Sequence, residues 1–359
     1  MVRVTSFVLA LCLLTACAMP EAMPTLTIPT AAAPTDQVNG LTVAEGYTIT
    51  VFAEGFNGPT QMILGPHEQV WVAQINGDEN ASNGQIVALD PQTKERTVLV
   101  EGLIKPTGIA LLDDYLWIAT RRELSRAPVA ADGTIGPIEP LLTELPFNGR
   151  SIGTLTVTPE GNLLFETSGA RQGNGAAAGS GTLWQVDPAD PTNPQPVATG
   201  LKGAYAHTVD AANRLWTTEI GDDLMNGAAP PDELNLVALG ADFGWPQCFG
   251  QQEAATNYGG TTERCQNSRA PVALFAARST PTSVVASPWA TDTLLVALWL
   301  QATVAQVTIT ATGDNATGVV EPFITGFKNP QHLVVWADNT LLVSEFATGT
   351  IYQISKEIN

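Results

Sequence analysis

Five carboxylates crowd one short stretch of the chain: Glu219, Asp222, Asp223, Asp232 and Glu233. Hard oxygen donors at this density, helped by backbone carbonyls, suit a calcium ion. Their spacing is not that of an EF-hand, and a solvated acidic loop is the competing reading. The stretch runs on into a rigid Phe243-Gly244-Trp245-Pro246 corner and then to Cys248 and Cys265. Cys12 falls in a leader and Cys17 would be lipidated, so Cys248 and Cys265 remain as an even pair, expected to form a disulfide in an oxidising compartment. Zinc is disfavoured because no further cysteine or histidine lies close by.

The three histidines are the other chemistry-bearing residues. His67 occupies a Gly-Pro-His-Glu turn and is expected to be exposed and without a role. His207 and His332 fall in innermost strands, where either could face a channel; an ordinary hydrogen-bonded histidine is the simpler reading of both. No Ser-His-Asp hydrolase motif is present. The glycine-rich segment from Gly173 to Gly181 has no helix after it, which argues against a nucleotide loop and for a flexible loop over one face.

The elements that must position these residues are repeated. PTQMILGPHEQVWVAQ, PTGIALLDDYLWIAT, IGTLTVTPEGNLLFETSG, AYAHTVDAANRLWTTEIG, PTSVVASPWATDTLLVALW and PQHLVVWADNTLLVSEF each join two apolar strands through a polar turn. A third strand follows each, and segments such as VLVEGL, EPLLTEL and VEPFITGF add a fourth. Six four-stranded units predict an all-β fold, a six-bladed β-propeller, in which radial repetition protects the sheet edges. YTITVFAEGF near the start is expected to close the ring against the last unit. The fourth unit carries an insertion from Ala241 to Arg269 that holds the cysteine pair, and long loops in compact repeat folds are commonly functional. In such a fold a ligand is expected at the mouth of the central channel, on residues just before each first strand and at the end of each second strand. The tryptophans read mostly as core, with Trp245 and Trp299 as candidates for stacking on a ligand at the channel mouth.

Residues 1–16 read as a lipoprotein signal peptide. Arg3 precedes an apolar run too short to span a bilayer, and the run ends in Leu14-Thr15-Ala16-Cys17, which matches a lipobox. Cys17 would carry the lipid, residues 17–40 read as a disordered Pro/Thr/Ala-rich tether, and the propeller domain is expected over 41–359. The protein is thus expected to be exported and membrane-anchored on the extracytoplasmic face. A formal net charge of -19 over 359 residues repels nucleic acid and anionic lipid. It leaves a neutral or cationic small molecule, or another protein, as partner.

The order TEIG, DELNLV, ADFGWPQCFG, with GLKGAY and NRLW before it, resembles the soluble quinoprotein glucose/sorbosone dehydrogenase family. The resemblance extends from about Tyr47 to Ser355. It implies a propeller binding pyrroloquinoline quinone (PQQ) and Ca2+ over the channel, oxidising a sugar or related alcohol or aldehyde with hydride transfer to the quinone. It places Gly221 and Asp222 in the calcium loop and matches Asp232 and Glu233 to the family's acidic pair. Arg150 stands where the family has its base histidine, and arginine stays protonated and cannot serve as a general base. Lys202 replaces part of the family's Arg-Asn grip on the quinone. The family's lysine in the fifth unit falls near Leu300, and its arginines entering the sixth unit fall near Asn329 and Gln331, beside Lys328. Arg150, Lys202 and Lys328 are therefore the cations this chain offers to the quinone's three carboxylates. The alternative is a catalytically degenerate propeller that binds a carbohydrate, small molecule or protein at the channel mouth.

Overall fold

The computed structural model describes residues 37–357 apart from 150–151 and 313–314. The signal segment, Cys17, most of the tether and Arg150 lie outside the described residues. The stretch read as tether ends in β-structure. Gln37–Val38 pairs with Leu41–Val43 across Asn39-Gly40, both at positive φ, as a tight Asn-Gly hairpin requires.

Six antiparallel sheets follow as blades, each running from an inner to an outer strand. Blade 1 comprises Pro59–Leu64, Val70–Gln74, Ser82–Leu89 and Arg96–Ile104. Blade 2 runs from Gly108–Leu112 to Glu139–Leu142, and blade 3 from Thr156–Val157 to Gln195–Thr199. Blade 4 contains His207–Val209, Leu215–Glu219, Pro231–Val237 and Ala273–Ala277. Blade 5 runs from Pro281–Ala286 to Asn315–Thr325, with Leu41–Val43 added at its outer edge. In blade 6, Tyr47–Ala53 pairs with Thr350–Lys356, so an early strand closes the ring as expected. This pairing removes two free sheet edges at once.

The repeat pattern has a packing cause. Alternating apolar residues place one face of every blade against the next, which gives six apolar layers between neighbouring blades. Trp71, Trp117 and Trp216 occupy matching second-strand positions and are wholly buried, so they are core residues. Side chains also stitch the inner strands together. The hydroxyls of Thr60, Thr107 and Thr154 donate to the carbonyls of Pro106, Ile152 and Tyr205, each on the following unit. Thr218 continues the ring to the Pro281 carbonyl and Thr282 to that of Gln331. His332 Nδ1 closes it by accepting the Met62 N–H at 3.3 Å. The Thr that recurs beside the inner-strand prolines thus satisfies buried carbonyls that no sheet ladder reaches.

Candidate functional site

At the channel mouth the inner strands converge on a cavity of about 340 Å³. Its lining follows the repeat. Thr60, Thr107, Tyr205, Thr282 and Gln331 come from the starts of five units. Ile75, Ile220, Trp299 and Phe346 each directly follow a second strand. Both placements are those expected for a propeller ligand site. Trp299 is half-buried and meets Phe346 edge-on, with centroids 6.2 Å apart. Gln331 Nε2 donates to the Tyr205 hydroxyl at 3.3 Å. Burial pushes the Tyr205 phenol up to about 12, so it stays protonated and serves as a hydrogen-bonding group, not a base.

Charge at the mouth is sparse. Lys105 lines it, and its Nζ is paired with Glu79, also on the lining, at 2.7 Å. Sequence reasoning missed this lysine. Its signal was the recurring Gly-Leu/Phe-x-x-Pro segment, here Gly102-Leu103-Ile104-Lys105-Pro106.

Of the described sequence-predicted residues, Trp299 lines this cavity, whereas Lys202, Lys328, Gly221, Asp222, Asp232 and Glu233 do not. Lys202 and Lys328 occupy equivalent positions in that recurring segment, matching Asn57 of the first unit. At all three a backbone N–H donates to a side chain ending a second strand: Asn57 to Gln74 at 2.9 Å, Lys202 to Glu219 at 2.7 Å, and Lys328 to Glu345. The Lys328 side chain is exposed, and Lys202 Nζ sits 6.0 Å from the Trp245 ring centroid.

The carboxylates are engaged within the protein. Asp222 is gripped bidentately by Arg171, at 2.7 and 3.0 Å, and accepts from Trp245 Nε1 at 3.0 Å. Asp232 accepts from Gly221 N, Ser279 Oγ and Thr280 N. Glu233 accepts from Gly250 N at 2.7 Å and Asn235 Nδ2 at 3.1 Å. Glu219 lies directly across the strand pair from Glu233. Burial, and then the charge of Glu233, raise the Glu219 carboxyl well above its ordinary value; Glu219 keeps the proton and shares it with Glu233. Burial pushes Glu233 itself up to about 7. Among the described residues no group of three or more His, Cys, Asp or Glu is arranged to hold a metal ion.

The insertion is the outer wall. Ala241–Asp242 adds a parallel strand to blade 3, and the Cys248–Cys265 disulfide forms as expected. A cross-link over a span of this length stabilises by about 3 kcal/mol. Trp245 packs inside this wall with Met225 and Ala255, so it is not a stacking platform at the mouth. The glycine-rich segment is not a plain loop. Arg171–Gln172 pairs with Gly175–Ala176, and the Arg171 guanidinium lies 4.0 Å from the Tyr258 ring centroid, fastening this hairpin to the insertion.

Comparison with known proteins agrees with the motif resemblance. The Glucose / Sorbosone dehydrogenase family model matches residues 153–318. No curated protein sequence matches the chain. Among solved structures, the calcium structure of Trichoderma reesei Carbohydrate-Active Enzymes Family AA12 is 15% identical with a TM-score of 0.75, covering 88% of this chain and 97% of that one. The holo form of the pyranose dehydrogenase PQQ domain from Coprinopsis cinerea is 16% identical with a TM-score of 0.70, covering 91% and 99%. The PQQ-bound aldose sugar dehydrogenase from Streptomyces coelicolor is 19% identical with a TM-score of 0.69, covering 88% and 99%. The chain is a six-bladed β-propeller, and its residues 153–318 match the Glucose / Sorbosone dehydrogenase family model.

The described part of the mouth does not by itself supply the cations and free carboxylates that PQQ with calcium would need. Three carboxylates need several cations, and the described lining offers Lys105, already neutralised by Glu79. The oxygens of Asp222 and Asp232 are likewise committed to protein donors.

Proposed function

We propose that this propeller, related to the glucose/sorbosone dehydrogenases, binds a sugar or a related polyhydroxyl alcohol at the channel mouth. The observation that carries the reading is the lining itself. Threonine hydroxyls, the Tyr205 phenol and the Gln331 amide surround a cavity flanked by the Trp299 ring. Such a surface offers a sugar a few hydrogen-bonding groups, with the threonine hydroxyls as acceptors, and an apolar face, with almost no net charge to desolvate.

Oxidation of that ligand, with hydride passing to PQQ, is the reaction supported by the family match and the PQQ-holding neighbours. The neutralised Lys105 favours the second reading, in which the mouth binds the sugar without oxidising it. Titrating the purified protein with PQQ and Ca2+, then assaying dye reduction over a sugar panel, separates the two. PQQ-dependent dye reduction establishes the dehydrogenase. Sugar binding without PQQ binding establishes the binding protein, and neither result sinks both. In either case Trp299→Ala is expected to weaken sugar binding about tenfold by calorimetry, the loss of one aromatic contact.

We also propose that the chain is exported and anchored through a lipid on Cys17, as the Leu14-Thr15-Ala16-Cys17 sequence supports. Cys17→Ser is expected to abolish fatty-acid labelling and move the protein out of the membrane fraction. Unchanged labelling would refute the anchor.

A further inference from the structure

The mouth carries its charge on one wall. Among the described lining residues the charged ones are Glu79 and Lys105. Glu79 lies on the loop between Val70–Gln74 and Ser82–Leu89, and Lys105 on the connection from blade 1 to blade 2. The aromatic pair Trp299 and Phe346 comes from blades 5 and 6.

The two charges cancel in sum, but they are not equally open to a ligand. The Glu79 side chain is 56% exposed and that of Lys105 only 20%. Lys105 Nζ meets Glu79 Oε2, while Glu79 Oε1 accepts from no described donor. The outward part of the pair is therefore the carboxylate.

The neighbours keep that sign. Asp78, beside Glu79 on the loop, is exposed, and its Oδ1 accepts from the Asn80 N–H at 2.9 Å. Arg121 is the other cation that touches this loop, donating to Asn80 Oδ1 at 3.1 Å. It is half-buried, with its guanidinium 4.7 Å from the Phe147 ring centroid. Both cations are thus drawn inward and both carboxylates face out. The net charge of -19 adds a long-range pull on cations that is strongest at low salt.

An ion pair arranged in this way discriminates among ligands. A carboxylate has about four lone-pair sites, so an ammonium can join Glu79 while Lys105 stays in place. A ligand carboxylate would have to pass or displace Glu79 to reach Lys105. A neutral hydroxyl gains only an ordinary hydrogen bond.

We propose that the mouth selects a polyhydroxyl ligand bearing a protonated amine, an amino sugar, and that Glu79 is the residue that recognises the amine. This rests on the reading of the mouth as a sugar site, and it holds whether or not the ligand is oxidised.

The test is calorimetry on the full chain with glucosamine, galactosamine and mannosamine, each against its parent hexose, and with glucuronate. It is run at about pH 6, below the ordinary range in which amines titrate. At low salt the best-bound amino sugar is expected to bind about fivefold more tightly than its parent, the scale of a partly exposed ion pair. Glucuronate is expected to bind more weakly than either. The amine preference should fall toward unity in about 0.5 M salt. Glu79→Gln is expected to erase it and to raise glucuronate above the amino sugars, because Lys105 then lacks its carboxylate. Equal affinity for amino sugar and parent, or a preference that survives Glu79→Gln, overturns the role of Glu79 and leaves the sugar site standing. Absence of binding by every sugar removes the sugar reading itself, and this inference with it. The wild-type panel and its salt dependence decide the matter even if Glu79→Gln fails to fold.

Discussion

Asp232→Ala is expected to destabilise the protein by about 3–5 kcal/mol in urea unfolding, with no difference between calcium and a chelator. The carboxylate is buried, and it accepts from Gly221 N at 2.7 Å, Ser279 Oγ at 2.9 Å and Thr280 N at 2.6 Å. These donors belong to the loop after one second strand and to the segment entering blade 5, so one side chain fixes two walls of the mouth. Alanine leaves two backbone N–H groups and a hydroxyl buried without an acceptor. A calcium ligand would behave differently: wild type would gain stability with calcium and the variant would not. A calcium-dependent gap between the two proteins would restore the metal reading of this carboxylate.

Glu219→Gln is expected to stabilise the protein at pH 7 and to leave stability nearly unchanged at pH 4.5. The buried Glu219–Glu233 pair holds protons that the unfolded chain, titrating near 4.5, has released. Carboxyls raised in the folded state contribute fully below the unfolded value, and stability then falls as pH rises. Both members contribute to that fall up to about 7, where Glu233 ionises, and Glu219 alone continues it above. Glutamine keeps the geometry without the proton. Its carbonyl can accept from Lys202 N as Glu219 does, and its amide can donate to Glu233. The check is unfolding free energy measured from pH 4.5 to 8 for both proteins. Equal slopes would show that Glu219 holds no extra proton.

Much of the fold was legible because it is written in local patterns repeated six times. Paired apolar strands, polar turns and one interrupted unit sufficed to predict the blades, the closing strand Tyr47–Ala53 and the disulfide-braced insertion. The location of the mouth followed from the same logic, since strand ends in a propeller can only meet at the channel. Individual side chains were less legible. Lys202 and Lys328 looked like cations aimed at a ligand, yet their repeat position is defined by a backbone N–H that caps the second strand of the blade that follows. Lys105, one position further along the same segment, is the lysine that lines the mouth.

The carboxylates from Glu219 to Glu233 show where the division falls. Sequence by itself determined that they sit together at the end of a second strand in the unit bearing the insertion. Only the tertiary structure decided what each one does, because a carboxylate takes its role from whichever donors reach it. Arg171 comes from blade 3, Ser279 and Thr280 from the entry to blade 5, and Gly250 from inside the insertion. None of these partners is near in sequence, so packing alone turned an acidic cluster into the fastening of the wall.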